Sequence, residues 1–216
     1  VPSARKMDEV TYDEMLEMAS LGAKVLHSRC VEIAKKYGVE LLVCSSLNRN
    51  SGTIVREKTK MEKMLISGVA ADKNVAKIRV AGLGNDPEST FRLLNVLDKN
   101  HLNIDVMIQS LGKDGTKSVS FTVAKTDLHR ALEVLTDNKD SLGIQKLDSD
   151  ERVAKVSVIG SGIRSHSGVA AKMFGALATA GINTEMVTTS EIRITALIEE
   201  DYTDLAMRAI HETFLE

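Results

Sequence analysis

"VAKIRVAG", Val75 to Gly82, and "VAKVSVIG", Val153 to Gly160, are nearly the same strand written twice in one chain. The segments downstream of the two copies match as well. "IRVAGLGNDPESTFRLLNVLDKNHLNIDVMIQS" reads strand, loop, helix, strand, and so does "VSVIGSGIRSHSGVAAKMFGALATAGINTEMVTTS", so the repeat is supersecondary. Each copy then adds an alternating strand. "KSVSFTV" sets Val119, Phe121 and Val123 on one face, and "EIRITALIE" does so with Ile192, Ile194, Ala196 and Ile198, which predicts two strands that each bury a single face. A second helix comes next, striped by Leu128, Ala131, Leu132 and Leu135 in the first copy and by Leu205, Ala206, Ala209, Ile210 and Phe214 in the second.

"GIQKLDSD" completes the first copy as βαββαβ, a ferredoxin-like unit with two helices over one face of an antiparallel sheet. The second copy lacks that last strand. "LISGVAADKNVAKIRVAG" aligns with "LGIQKLDSDERVAKVSVIG" through the same short approach to the repeated strand, so Ile66 to Asp72 is expected to complete the second unit. One unit is then inserted in the other, and no edge is left open where the fourth strand belongs. The fold class is α+β: two ferredoxin-like βαββαβ units plus a short α/β segment at the N-terminus.

Helix ends agree with this plan. "NDPES" offers Asn85 or Asp86 as an N-cap with Pro87 at the first helical position, and Gly181 stops the matching helix of the second copy. Outside the repeat, "TYDE" is a capping box, Thr11 with Glu14. Helices are predicted over Tyr12 to Leu26 and Arg29 to Tyr37, then a strand "VELLVCSS" and a polar loop "LNRNSGT".

Composition narrows the function classes. The 216 residues are 43% hydrophobic and 27% charged, with two prolines and a net charge of −2, as in a folded chain with no field that favours polyanions or a membrane surface. Without Trp, and with three Tyr and four Phe, the platforms on which single-stranded nucleic acid stacks are missing. Cys30 and Cys44 have no partner at metal-ligand spacing, and two cysteines in a chain of this length do not form a disulfide framework. No apolar run reaches the ~18 residues that span a bilayer. These features point to a cytoplasmic protein with no nucleic-acid or membrane partner.

Chemistry concentrates at two loops. "GLGNDPES" and "GSGIRSHSGVA" each join a strand to a helix N-terminus, where free N–H groups and the helix dipole suit a carboxylate. Taken alone, the loops are read more simply as tight turns in which glycine frees the backbone. Neither completes a dinucleotide or P-loop motif. Gln109 and Ser190, at matching ends of the second strands, could offer oxygens to an ammonium group. His27, His101, His129, His166 and His211 are expected at the surface or at caps, "YDEMLEM" and "KMEKM" as core and helix filler, and Asp13, Glu14 and Glu17 as a solvated helix face.

The text "VTYDEMLEMASLGAKVLHSRCVEIAKKYGVELLVCSSLNRNSGTIV" resembles the end of the catalytic domain of aspartate kinases. "SHSGVAAKMFGALATAGINTEMVTTSEIRITALI" resembles the second ACT unit of the same enzymes, and "NIDVMIQSL" with "SVSFTV" the first. The resemblance implies the tail of the amino-acid kinase domain over residues 1–55, a first ACT unit over 75–149, and a second over 62–74 plus 150–216. It implies a regulatory region of beta-subunit type that binds lysine, threonine or both as feedback inhibitors at ACT interfaces. Its partners would be a second copy of itself, through the ACT units, and a kinase catalytic domain or alpha subunit. ATP and magnesium would belong to the complete kinase, and this chain alone is expected to be non-catalytic. The alternative is a dimerisation scaffold without effector binding.

Carried over from the resemblance, the first site uses Asn85, Asp86, Pro87, Glu88, Ser89 and Thr90 at the helix start, Asn103, Ile104 and Asp105 on the next strand, and Gln109. The second uses Val169, Ala170, Asn183, Thr184 and Ser190. The family often writes "DKPGEA" where this chain has "NDPEST", and "SHPGV" where it has "SHSGV". Asn85 thus removes a carboxylate, Thr90 narrows the loop, and Ser167 leaves the second helix start less rigid than a proline would.

Overall fold

The computed structural model describes residues 1–47, 51–58 and 66–215. The "KMEKM" stretch, residues 62–65 of the expected second ACT unit and residues 48–50 of the polar loop lie outside the described residues. In chain order the elements are β1 (Glu9–Thr11), α1 (Tyr12–Ser20), α2 (Ser28–Tyr37), β2 (Leu41–Val43), β3 (Thr53–Arg56), β4 (Gly68–Leu83), α3 (Glu88–Lys99), β5 (Met107–Leu111), β6 (Lys117–Val123), α4 (Leu128–Asp137), α5 (Lys139–Leu142), β7 (Lys146–Ile159), α6 (Val169–Thr179), β8 (Met186–Thr189), β9 (Arg193–Glu199) and α7 (Thr203–Leu215). The chain divides into two units, residues 74–154, and residues 1–73 with 155–216.

In the unit of residues 74–154 the strand order is β5-β6-β4-β7, with the fourth strand of the repeat beside the first. Phe121 centres it: β6 runs antiparallel to both neighbours, with Phe121 opposite Ile78 on β4 and Met107 on β5. Ile78, Val80, Leu93, Leu97, Phe121, Ala131 and Leu135 form its core, each at most 1% exposed. Each large side chain among them contributes ~1.5–3 kcal/mol of burial. The stripe of α4 is as expected, and β6 buries Val119, Phe121 and Val123 on the predicted face, but Thr122 on the other face is buried too, against the expectation of a single buried face.

The other unit repeats the order as β4-β7-β9-β8. Its core joins Val156, Val158, Met173, Leu177, Ile194, Ala196, Ile198, Ala206 and Ile210, with Ile66 just ahead of β4 also buried. The short approach inferred from the repeat is not a separate element: β4 is one strand of 16 residues and β7 one of 14. Within this unit, buried Lys155 on β7 reaches Asp72 on β4 at 3.4 Å, their side chains 8% and 20% exposed.

Three expectations need correction here. β9 is buried on both faces, not one, with Thr195 and Leu197 each 2% exposed. Polar Thr195 is tolerated there because its hydroxyl meets that of Ser157 at 2.7 Å. Leu205 on α7 is exposed, and half-buried Met207 packs on the core instead. His211 is buried.

The N-terminal segment forms a second sheet, β1-β3-β2, with β3 parallel to β1 and antiparallel to β2. β2 is shorter than the predicted strand "VELLVCSS". Helix α1 stops at Ser20 rather than Leu26: the Leu21 amide donates to Glu17 and Met18 carbonyls, Ala23 N–H donates to Met18 O, and Gly22 takes a left-handed φ of 100°. Gly22 lies so close to Ala71 that a Cβ would overlap its carbonyl. Cys30 and Cys44 are free and exposed. Among the described residues no helix is long and apolar enough to cross a membrane.

Gly22 and Gly38 separate conformation from contact, because both have positive φ but nothing lies near a Cβ at Gly38. Gly38→Ala is expected to cost ~1–2 kcal/mol, from the left-handed backbone alone. Gly22→Ala should cost at least twice as much, read as the difference in urea midpoints at constant slope.

Candidate functional site

The first loop is closed by its own side chains. Asp86 Oδ1 accepts the Glu88 amide at 3.0 Å, and Pro87 already has helical dihedrals, so Asp86 caps α3 in the manner anticipated. Arg92 lies 3.4 Å from both Asp86 oxygens and 3.3 Å from Glu88. Ser89 Oγ donates to Gly84 O at 2.6 Å, and Lys117 Nζ donates to Asp86 O at 2.7 Å. Desolvation works against the charge on Asp86, but the Arg92 guanidinium and the amides of Glu88 and Ser89 outweigh it and hold the carboxyl below its ordinary range.

Of the other residues assigned to this loop, Thr90 and Gln109 come together, the Thr90 hydroxyl donating to Gln109 Oε1 at 2.7 Å. Asn85 is exposed. Asn103, Ile104 and Asp105 precede β5 rather than lying on it. Asp105 N–H still donates to Thr122 O at 3.2 Å and the Val106 amide to the Thr122 hydroxyl at 3.1 Å, but the regular register with β6 starts at Met107. Arg92 and Lys117 escaped the sequence reading. Arg92 had one signal, its spacing of four from Glu88; Lys117 had none beyond a polar strand start.

The second loop differs. Gly160 N–H donates to Ile192 O at 3.0 Å, and the Gly162 carbonyl accepts the amides of Ser165 and His166 at 3.1 and 3.2 Å. Gly168, φ 94°, caps α6 with no side-chain hydrogen bond, and no acidic residue lies in the first turn. Val169 is buried and Ala170 half-buried. Asn183 and Thr184 are exposed ahead of β8. Ser190 follows β8, where its amide donates to Arg193 O at 2.7 Å, whereas Gln109 stands mid-strand opposite Val119. The two do not occupy matching positions. The α6 start can thus offer amides to an external carboxylate, while at α3 a tethered carboxylate already holds them.

Next to the second loop lies the largest departure from expectation. Glu14, assigned to a solvated face, is 4% exposed. Its Oε2 accepts from Thr11 N at 3.2 Å while Thr11 Oγ1 accepts the Glu14 amide at 3.3 Å, which forms the predicted capping box, and the Thr11 hydroxyl donates to Oε2 at 2.8 Å. Its Oε1 accepts from Ser67 Oγ at 2.6 Å and from Ser161 N at 3.1 Å. Burial pushes the carboxyl up, but hydrogen bonds from Ser67, Thr11 and Ser161 more than offset it, and the group titrates below its ordinary value. Glu17, one turn on, accepts from Arg193 at 2.9 Å. Among the described residues no three His, Cys, Asp or Glu side chains converge as a metal site.

The fold, two ferredoxin-like units of which residues 156–214 match the ACT domain, defines a chain of the ACT-type regulatory class. Residues 1–45 match the amino acid kinase family. The aspartokinase of Pseudomonas aeruginosa is 42% identical over 99% of this chain and 53% of its own length. A crystal structure of aspartokinase alpha and beta subunits contains a chain 42% identical with a TM-score of 0.65, covering 69% of this chain and 98% of that one. The regulatory subunit of aspartate kinase from Thermus thermophilus, ligand-free, is 34% identical with a TM-score of 0.66, covering 69% of this chain and 99% of that one. The chain belongs to the aspartokinase family, and it carries the regulatory region with its ACT domain. It spans about half the length of the curated relatives it matches.

A carboxyl held below its unfolded value adds stability above that value and loses it as pH falls through the folded one. Glu14 should therefore make the wild type more stable than Glu14→Gln at neutral pH, with the gap closing as the pH falls below the ordinary glutamate value of 4.5. Thermal unfolding of both proteins from neutral pH to below that value checks it; a constant gap would mean that the charge of Glu14 contributes nothing.

Proposed function

We propose that this chain is the amino-acid-sensing part of an aspartokinase, in which lysine, threonine or both bind at the strand-to-helix loops and set the activity of a kinase domain. The domain assignment goes with it: residues 1–55 as the tail of the amino-acid kinase domain, 75–149 as one ACT unit, and 62–74 with 150–216 as the other. The complete enzyme would transfer phosphate from ATP, with magnesium, to the side-chain carboxylate of aspartate. This chain would pair with a second copy through its ACT units and would act on the kinase domain or alpha subunit without catalysing the transfer itself.

The observation that carries this reading is the start of α6. An eleven-residue helix begins there at a glycine, without a side-chain cap or an acid in its first turn, which suits the carboxylate of an amino acid. Val169 and Ala170 would bound the ligand, with Asn183, Thr184 and Ser190 toward its polar groups. In the other unit, Asn85 to Thr90, Asn103 to Asp105 and Gln109 would form the counterpart. There Asp86 occupies the helix amides and Thr90 occupies Gln109 Oε1, so a ligand must displace a group already in place. That observation favours a second reading for this unit alone, a dimerisation scaffold.

Calorimetric titration of the chain with lysine, with threonine, with both together and with methionine as control tests the proposal. Saturable heat is expected with lysine or threonine. Gly168→Asp, which puts a carboxylate at the α6 start, should weaken binding at least ~10-fold more than Gly168→Ala, which changes only the backbone. Asp86→Ala should strengthen or add binding at the first loop. Heat from none of the amino acids would leave the scaffold for both units.

A further inference from the structure

We propose that Glu14 is a positioning residue that ties the loop from Gly160 to Gly168 to helix α1, so that a rearrangement of this loop on ligand binding is passed to the N-terminal segment. For its ligand the proposal rests on the effector reading above; the tie itself does not.

A capping-box glutamate needs only one of its oxygens for the helix, and on a surface helix the other faces water. In this chain the second oxygen is turned inward and bound by Ser67 Oγ and by the Ser161 amide. One carboxylate is thus shared between the first turn of α1, the entry to β4 and the base of the second loop. It is 4% exposed and accepts its four bonds from hydroxyl and amide groups, none of them a cation. A charge held in that way has no low-energy alternative, since a lost donor leaves it buried and short of a partner. If Ser161 moves, Glu14 must follow or surrender a bond.

Helix α1 is poorly placed to absorb such a movement by sliding. Tyr12, Met15, Met18 and Leu21 pack in one buried cluster with Ala70 and Ile159. The Met18 methyl lies where a Gly68 side chain would be, and Gly22 sits against the Ala71 carbonyl. Close-packed contacts of this kind shift between discrete arrangements rather than deform by degrees. The loop itself is a set of short turns gathered on the Gly162 carbonyl, and Ser161 is its first residue beyond buried Gly160. The amide that Glu14 holds therefore belongs to the first residue of the loop that leads to the α6 start. Glu17 with Arg193 is a separate link from α1 to the start of β9 and serves as the control.

Amide hydrogen exchange on the whole chain tests the tie without ligand. Glu14→Ala removes both ends of the bridge; Glu14→Asp keeps charge at the helix start but is one methylene too short to span Thr11 and Ser161, and it carries the test where Glu14→Ala does not fold. The Ser161 amide should exchange at least ~10-fold faster in either variant, with β9 and α7 amides unchanged, and Glu17→Gln should leave Ser161 as it is. Unchanged Ser161 exchange would overturn the proposal. With saturating lysine or threonine, wild-type α1 amides should change their exchange rates, and Glu14→Asp should still give binding heat while its α1 response is lost. A persisting α1 response overturns the transmission. No heat from the wild type with either amino acid would sink the effector reading and the transmission together, while Ser161 exchange would still decide the tie.

Discussion

Each of the two ferredoxin-like units completes its four-stranded order with a strand from the segment that leads into the other repeat. A ferredoxin-like sheet keeps its first strand in the interior, so both edges of that strand need partners. For the unit of residues 74–154 the partner is the first part of β7; for the other unit it is the first part of β4. The first repeat supplies this strand from its own end, whereas the second takes it from the segment ahead of the first repeat. The burial of Val156, Val158, Ile78 and Val80 follows from that requirement. So does the position of the loops, since each leaves the end of an inner strand and enters a helix that covers the sheet.

Much of this was legible because duplication writes the same pattern twice, and two weak signals in register make one strong one. The alternation over Val119, Phe121 and Val123 and the cap at Asp86 are local properties that periodicity and side-chain chemistry report directly. The failures are all tertiary. Helix periodicity carries α1 through "LGAKVL" because Gly22 is disfavoured in a helix by only ~1 kcal/mol, while the close approach of Ala71 to Gly22 comes from a distant part of the sequence. Alternation assigned Thr195 to solvent, and only its meeting with Ser157 explains its burial. Glu14 was recognised as half of a capping box, yet its other half, Ser67 and Ser161, was beyond any local window.

The candidate loops were found as a pair, and the structure makes them unequal. Asn85 stands where the sequence resemblance would place a carboxylate, but Asp86 supplies one a residue later and turns it inward onto the α3 amides and Arg92. The second loop has no such group at the start of α6. A substitution pattern that looks like a simple loss of charge is, in three dimensions, a charge moved by one residue and satisfied internally. That distinction depends on where one side chain points, which no spacing rule reports.

The pair of Lys155 and Asp72 has a meaning in assembly as well as in stability. A buried ion pair adds little net free energy once desolvation is counted. Strand side chains alternate between faces, however, so a slip of one residue between β4 and β7 would turn the Lys155 ammonium to the opposite side and break its pairing with Asp72. In a chain whose two repeats write almost the same strand, wrong pairings differ little in apolar burial. The pair therefore adds a charge penalty to any slipped register between β4 and β7.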